Sequence, residues 1–470
     1  MITRRNFMAQ AAAGLLQRSR ERLNVVLILV DDMGATDLGC FGSSFYETPN
    51  IDRLATQGMR FTQAYSACTV CSPSRGAILT GKYPARLHLT DYIPGHTYPW
   101  ARLKPPDWTM YLPLEERTLA EALKPDGYAS ASIGKWHLAP PSDDHRFYPD
   151  GQGFDFQLAG TYRGQPPTYF SPYRIPTLPD GPKGEYLTDR ETSEAIRFID
   201  SHRGNPFFLY LPHHTVHTPL QAKADYIAYF QEKARPDAPQ NNPTYAGMIR
   251  SLDENVGRLM KFLDDSGLAK RTVVILTSDN GGWIPSTKTN LGLRAGKGSA
   301  YEGGVRVPMI VRWPGVVKPG SACDVPVIGI DIYPTVLDII GEKPQSGQVL
   351  DGQSIVPLLK SPSSRDWKRE ALFWHYPHYH PGGATPYSAI RYGDWRLIEF
   401  YEDRHIELYD LKSDPEEKRN LAGERKDRVQ EMKKRLDAWR RQVGAQDPLP
   451  NPDYDPARAQ ERKLPGAKRK

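Results

Sequence analysis

Residues 24–30 form a continuous apolar, β-branched run, the pattern of a parallel strand buried on both faces. Residues 207–211 and 272–277 repeat it, and residues 128–133 read as a further strand. Helical spacing appears between them at 48–54, 118–123, 187–202 and 245–263, with Thr48 placed to cap the first of these. This alternation predicts an α/β fold with a large, mostly parallel sheet flanked by helices. The period changes near residue 368. Residues 371–375, 388–391, 395–401 and 406–409 are short alternating strands, followed by a helix at 428–439. They predict a small C-terminal antiparallel sheet with one helix. Residues 140–185 are rich in Pro, Gly and Tyr and read as a long loop region over the site, while 447–470, proline-rich and charged, read as a flexible tail. The expected organisation is therefore a leader at 1–20, a catalytic α/β domain at 21–368, a small α+β subdomain at 369–446 and the tail at 447–470. No internal repeat is visible.

The polar residues with chemical potential sit where these strands end. Asp31 and Asp32 follow the first strand, and Asp279 and Asn280 follow the run at 272–277. Ligands of open α/β sheets bind at that edge. Four oxygen donors there suit a hard cation such as Ca²⁺ or Mg²⁺. Cys71-Ser72-Pro73-Ser74-Arg75-Gly76 opens an apolar segment, and Pro73 suits the first turn of a helix. Cys71 then lies at or just before a helix N-terminus, with Arg75 one turn on, an arrangement suited to an anionic ester. Cys68 and Cys71 also form a C-x-x-C pair, but no second pair exists to make a zinc site. Lys135 and His137 flank Trp136 after a strand, and residues two apart in an extended segment share a side. His217 follows His213 and His214 in a proline-bounded turn, and Lys297 lies between glycines that let backbone approach a ligand.

Net charge is +6, with basic residues at both ends of the 470-residue chain. A mildly basic enzyme tolerates anionic substrates. No nucleic-acid motif and no apolar run of membrane-spanning length is present. Four cysteines in this length do not make a disulfide scaffold. Thr3-Arg4-Arg5-Asn6-Phe7 with a short apolar stretch behind it resembles a twin-arginine export signal, which predicts a periplasmic or extracellular protein.

Six motifs in fixed order carry a family resemblance over residues 22–445: the Asp31-Asp32 pair, Cys-x-Pro-x-Arg at 71–75, Gly-Lys-Trp-His at 134–137, Val-His-Thr-Pro at 216–219, Ser-Asp-Asn-Gly at 278–281, and Gly-Lys-Gly at 296–298 followed by Tyr301-Glu302-Gly303-Gly304. The chain resembles the type I, formylglycine-dependent sulfatases of the alkaline phosphatase superfamily. The resemblance implies an alkaline phosphatase-like fold and Ca²⁺, with Mg²⁺ as the alternative, held by Asp31, Asp32, Asp279, Asn280 and residue 71. It implies that a formylglycine-generating or equivalent maturation enzyme converts Cys71 to formylglycine. Arg75 and His137 would hold and activate the formylglycine hydrate, and Lys135, His217 and Lys297 would grip the sulfate. In the implied covalent mechanism one hydroxyl of the hydrate attacks sulfur, His217 or Lys297 protonates the leaving alcohol, and His137 then deprotonates the second hydroxyl to expel sulfate.

A second histidine cluster, Phe373-Trp374-His375-Tyr376-Pro377-His378-Tyr379-His380, opens the small domain. Rings beside imidazoles suit a sugar. Trp374, His375, His378 and His380, with His214, are thus candidates for substrate contact. The competing reading turns Trp374 and Tyr376 into a β core and leaves one or two histidines at the site. The cluster also resembles bacterial carbohydrate sulfatases, so a sulfated glycan is the expected substrate. Alternatives are a phosphonate or phosphate monoester hydrolase of the same superfamily, a non-catalytic glycan-binding pseudoenzyme, and a sulfatase of small aryl esters.

Overall fold

The structure is a computed structural model that describes residues 22–142, 144–283 and 289–462. The leader expected at 1–20 lies outside the described residues. Nine strands form the main sheet: β1 (Asn24–Val30), β2 (Met59–Tyr65), β3 (Ala129–Ile133), β4 (Phe156–Leu158), β5 (Phe207–Pro212), β6 (Thr272–Ser278), β7 (Arg306–Arg312), β8 (Ser321–Cys323) and β9 (Val327–Ile328). Their order is β9-β2-β7-β6-β1-β5-β3-β4, with β8 also on β2. All pairings are parallel except those of β7, which runs antiparallel to β2 and β6.

β1 lies at the centre, between β5 and β6. Its side chains alternate between two cores, as a two-residue period requires. Val25, Leu27 and Leu29 pack with Ile78, Leu79 and Leu119 on one face. Val26, Ile28 and Val30 pack with Ile199, Ile249 and Leu252 on the other. The principal helices covering these faces are α1 (Pro49–Gln57), α2 (Cys71–Thr80), α3 (Leu119–Leu123), α4 (Leu187–Ser201), α5 (Pro243–Asp265) and α6 (Ile332–Ile340). A full capping box, with Thr118 and Glu121 bonded reciprocally, starts α3. Asn242 caps α5. Thr48 does not cap α1 as expected. Its hydroxyl instead accepts from the Gly39 amide at 2.8 Å and donates to Asp52 at 2.9 Å, tying the preceding loop to the helix.

The second sheet holds β10 (Ala371–Tyr376), β11 (Tyr387–Tyr392), β12 (Trp395–Phe400) and β13 (Ile406–Asp410) in sequential antiparallel order. Helix α7 (Lys426–Val443) packs on it through Met432, Leu436 and Trp439. Part of the segment expected to be a free tail lies against the body of the protein: Leu449–Pro450 pairs with Leu103–Lys104, and Asn451 bonds the Pro99 and Ala101 carbonyls at 2.9 and 2.7 Å. No helix among the described residues is long and apolar enough to cross a membrane.

Candidate active site

The parallel strands end at one edge, and their last residues turn into the site. Asp31 and Asp32 leave β1. The Asp31 amide bonds the Thr215 carbonyl beyond β5, and the Asp279 amide beyond β6 bonds the Val30 carbonyl. Three neighbouring strands thereby hand their carboxylates and histidines to one place. Gly134 lets β3 join them. Its φ is +126°, and a Cβ there would stand 2.1 Å from the Pro212 carbonyl oxygen. The next residue, Lys135, bonds that same carbonyl through its amide at 2.7 Å. Asp32 and His137 both have φ of +60°, a strained value for residues with a side chain, as found at functional sites.

Cys71 is the first residue of α2, as the position of Pro73 predicts, and every residue of that helix is buried. Its Sγ lies 3.1 Å from Lys297 Nζ, 3.6 Å from Asp31 Oδ1 and 3.8 Å from Asp32 Oδ1. Lys297 Nζ also donates to Asp32 Oδ1 at 2.6 Å, and Lys135 Nζ donates to Asp31 Oδ2 at 2.7 Å. Arg75 reaches from the next turn to Asp279 Oδ2 at 2.8 Å and to the Lys135 carbonyl at 2.8 Å. Asn280 Nδ2 donates to Asp32 Oδ1 at 2.8 Å, and His217 Nε2 lies 3.5 Å from Asp32 Oδ2. Nine of the ten candidates named for nucleophile, cation and sulfate therefore converge, and the tenth, His137, lies beside them on the wall of the same cavity. Trp136, between Lys135 and His137, points the other way and donates to the Phe147 carbonyl from inside the core.

Charge in this buried cluster is strongly organised. Burial pushes Asp31 up to about 7, against the pull of the Lys135 ammonium. Burial works upward on Asp32 too, but Lys297 and His217 hold its carboxyl below the ordinary range. The Cys71 thiol is pushed up to about 12 by burial, with Lys135 and Lys297 opposing. An unmodified cysteine here is a neutral thiol at pH 7 and a poor nucleophile. Burial, then the Lys135 charge, keep His137 neutral. Its Nε2 lies 2.6 Å from the Ile93 carbonyl, so Nε2 carries the proton and Nδ1 is the free base. Nδ1 is buried without a hydrogen-bond partner.

The donor set fits a hard cation. One ligand atom each from Asp31, Asp32, Cys71 and His217 lie within 4.8 Å of one another. Asn280 Oδ1 is a buried acceptor that receives no hydrogen bond, the condition a cation relieves. Asp279 faces Arg75 with one oxygen and the Asp32 amide, at 3.2 Å, with the other.

The cavity above Cys71 has a volume of about 360 Å³, on the scale of a small ligand. Of the five residues expected to touch substrate, His380 lines it. The other four are held elsewhere. His214 donates or accepts through Nδ1 with buried Glu191 at 2.6 Å, which also holds His213 at 2.7 Å. Trp374 Nε1 donates to the Ser66 carbonyl at 2.9 Å, under the Arg396 guanidinium. His375 bonds Ser388 and the Gln446 carbonyl, each at 2.8 Å. His378 bonds Thr90 at 2.9 Å. Trp374 and His375 lie on β10, whose two faces are covered: Trp374 and Tyr376 face the main domain, and Phe373 stacks on Trp439 of α7, while His214 and His378 lie outside that strand and are held by the bonds just given. The cavity is lined instead by Tyr92, His96, Gln165, Trp283 and Arg462, which the sequence reading did not select. The Ile93-Pro94-Gly95-His96 turn was a legible loop signal, whereas Arg462 carried none.

Comparison with known proteins agrees with this geometry. Residues 23–342 match the family described as Sulfatase, and residues 296–442 match N-sulphoglucosamine sulphohydrolase, C-terminal. A protein of Formosa agariphila named Sulfatase is 33% identical, covering 90% of this chain and 89% of that one. The N-acetylgalactosamine-6-sulfatase of Mus musculus is 34% identical over 72% of this chain and 66% of that one. The crystal structure of Ps i-CgsB in complex with k-i-k-neocarrahexaose aligns with a TM-score of 0.75 at 30% identity, covering 89% of this chain and 93% of that one. With its motifs gathered at one sheet edge and two thirds of its length matching that family, the chain belongs to the sulfatases and is a sulfuric ester hydrolase of alkaline phosphatase-like fold.

Proposed function

We propose that this chain removes sulfate from a sulfated carbohydrate after export, using a formylglycine made from Cys71 by a maturation enzyme, with Ca²⁺ at the sheet edge. The observation that carries the reading is the position of residue 71: at the head of a buried helix, within 4 Å of Asp31, Asp32 and Lys297, on the floor of a cavity walled by rings and imidazoles. The neocarrahexaose in one relative and the N-acetylgalactosamine named in another favour a glycan.

A formylglycine hydrate at position 71 would supply the attacking hydroxyl, and a cation held by Asp31, Asp32, Asp279 and Asn280 would add positive charge beside it. The other roles belong to the chain's own side chains. Lys297, 3.1 Å from Sγ, and Lys135 offset negative charge that grows on the sulfuryl oxygens. Arg75 holds Asp279 and the Lys135 carbonyl in place. His137 accepts a proton at Nδ1, its ring fixed by the Ile93 carbonyl. His217 gives its Nδ1–H to the Thr218 carbonyl, 2.8 Å away, and burial pushes the ring down to about 3. Its Nε2 therefore carries no proton in this state and must first gain one to serve as acid for the leaving oxygen, with Lys297 as the competing acid.

The test is sulfate release from a panel of sulfated mono- and oligosaccharides, run beside phosphate and phosphonate esters of the same alcohols. Preferential sulfate release that is lost on chelation and restored by Ca²⁺ is expected. Faster phosphonate than sulfate cleavage, or turnover indifferent to chelator, would contradict the reading.

A further inference from the structure

The C-terminal segment reaches the cavity mouth along a defined path. After Asn451 fastens to the loop at 99–101, the Asp455 amide bonds the Trp100 carbonyl at 3.2 Å. The Arg458 guanidinium lies 3.4 Å over the Trp100 ring centroid and pairs with Glu461 at 3.0 Å. The next residue, Arg462, lines the same cavity as Cys71, Lys297 and His137. Among the described residues, the group that meets its guanidinium is the hydroxyl of Tyr98, a neutral acceptor. With no carboxylate opposing it among the described residues, a guanidinium held at the cavity mouth retains capacity for a bidentate anion.

A second observation points to the same place. His96 lines this cavity, and its Nδ1 is buried with no hydrogen-bond partner. Its Nε2 faces the Tyr92 hydroxyl at 3.4 Å. Tyr92, His96 and Trp283 surround His380, with ring centroids 5.6, 6.3 and 6.0 Å away. This wall offers apolar ring surface to a sugar and leaves one buried polar atom to be satisfied by a ligand. Lys135 and Lys297, which the proposed reaction assigns to the scissile sulfate, lie deeper in the site, paired with Asp31, Asp32 and residue 71. Arg462 and His96 are left over for something else.

We propose that Arg462 and His96 form a second anion subsite at the cavity mouth, so that the substrate is a sulfated glycan carrying another negative group on the same or the adjoining sugar. This rests on the sulfated-carbohydrate reading above and narrows it. The shared chemistry is a planar or tetrahedral oxyanion, supplied by a uronate carboxylate or by a further sulfate.

Equilibrium binding to the full-length Cys71→Ser protein separates the cases. The probes are a singly sulfated N-acetylgalactosamine, its disulfated form, and a singly sulfated disaccharide containing a hexuronate. Arg462→Ala is expected to weaken binding of a dianionic probe about tenfold more than that of the singly sulfated sugar, the scale of one charge-assisted hydrogen bond. Arg462→Lys should recover part of that loss, and His96→Ala should narrow the same preference. A selective loss for the uronate names carboxylate as the second group, and a selective loss for the disulfated sugar names sulfate. Equal loss for all three probes, or none, overturns the subsite. Steady-state kinetics of the protein carrying native Cys71 and Arg462 then report separately on the underlying reading. If no sulfate ester is cleaved while the binding contrast persists, the hydrolase reading fails and the anion subsite stands.

Discussion

At the scale of single residues, the site balances carboxylates against cations that cannot leave. Lys297 bridges Asp32 and residue 71 and is nearly fully buried, so its charge acts at close range with little water to screen it. Lys297→Ala is expected to lower kcat about 10²–10³-fold, the effect of deleting one oxyanion donor, with a smaller change in KM. Steady-state kinetics on an aryl sulfate would show it, and a change confined to KM would mean that the lysine only binds. His137 depends on a neighbour in the same way. The Ile93 carbonyl fixes its tautomer, and without that contact Nδ1 would not be held free for the base role proposed for it. Trp374, His375 and His378 show the opposite case of chemically capable side chains whose polar atoms are already committed to Ser66, Ser388, Gln446 and Thr90.

At the scale of elements, one motif joins the two sheets. Glu302 receives the Tyr65 hydroxyl of β2 at 2.7 Å and lies 3.2 Å from Arg396 of β12, which also faces Glu417 at 3.4 Å. Arg396→Ala would leave buried Glu302 with only Arg306, 3.5 Å away, and Glu417 without its guanidinium, and is expected to cost about 3 kcal/mol, measured by denaturant unfolding. Replacement without loss of stability would show that the sheets are held by apolar packing alone. The strands β1, β5 and β6 were legible because buried parallel strands are apolar on both faces. β2 was not, since its sequence MRFTQAY carries polar positions, and β7, β8 and β9 gave no alternation to read. The reversed direction of β7 has no local signature at all. Motif residues at strand ends were legible because the sheet gathers strand ends by rule. The cavity wall was not, because Tyr92, His96 and Arg462 arrive on loops whose course is set by tertiary contacts. The faces of β10 were equally ambiguous: alternation says that Trp374 and His375 point apart, but not that both sides are covered.

At the scale of the molecule, the junction between the sheets also sets a pH response. Burial, with Glu302 adding to it against Arg396, pushes Glu417 up to about 8 from 4.5. Between those values the folded protein holds a proton that the unfolded chain has released, so this group's contribution to stability falls as pH rises. Glu417→Gln should therefore lose less stability than the native protein between pH 5 and pH 8 in denaturant titrations. An unchanged pH slope would place the proton elsewhere. The same global packing that joins the sheets closes the floor of the cavity with α2 and brings the C-terminal segment to its mouth. What the whole arrangement requires is a nucleophile that a buried, protonated thiol does not provide. The direct test is mass spectrometry of the peptide bearing residue 71, taken from active protein made in its own host. The account predicts an aldehyde or its hydrate in place of the thiol. An intact thiol in fully active protein would contradict it.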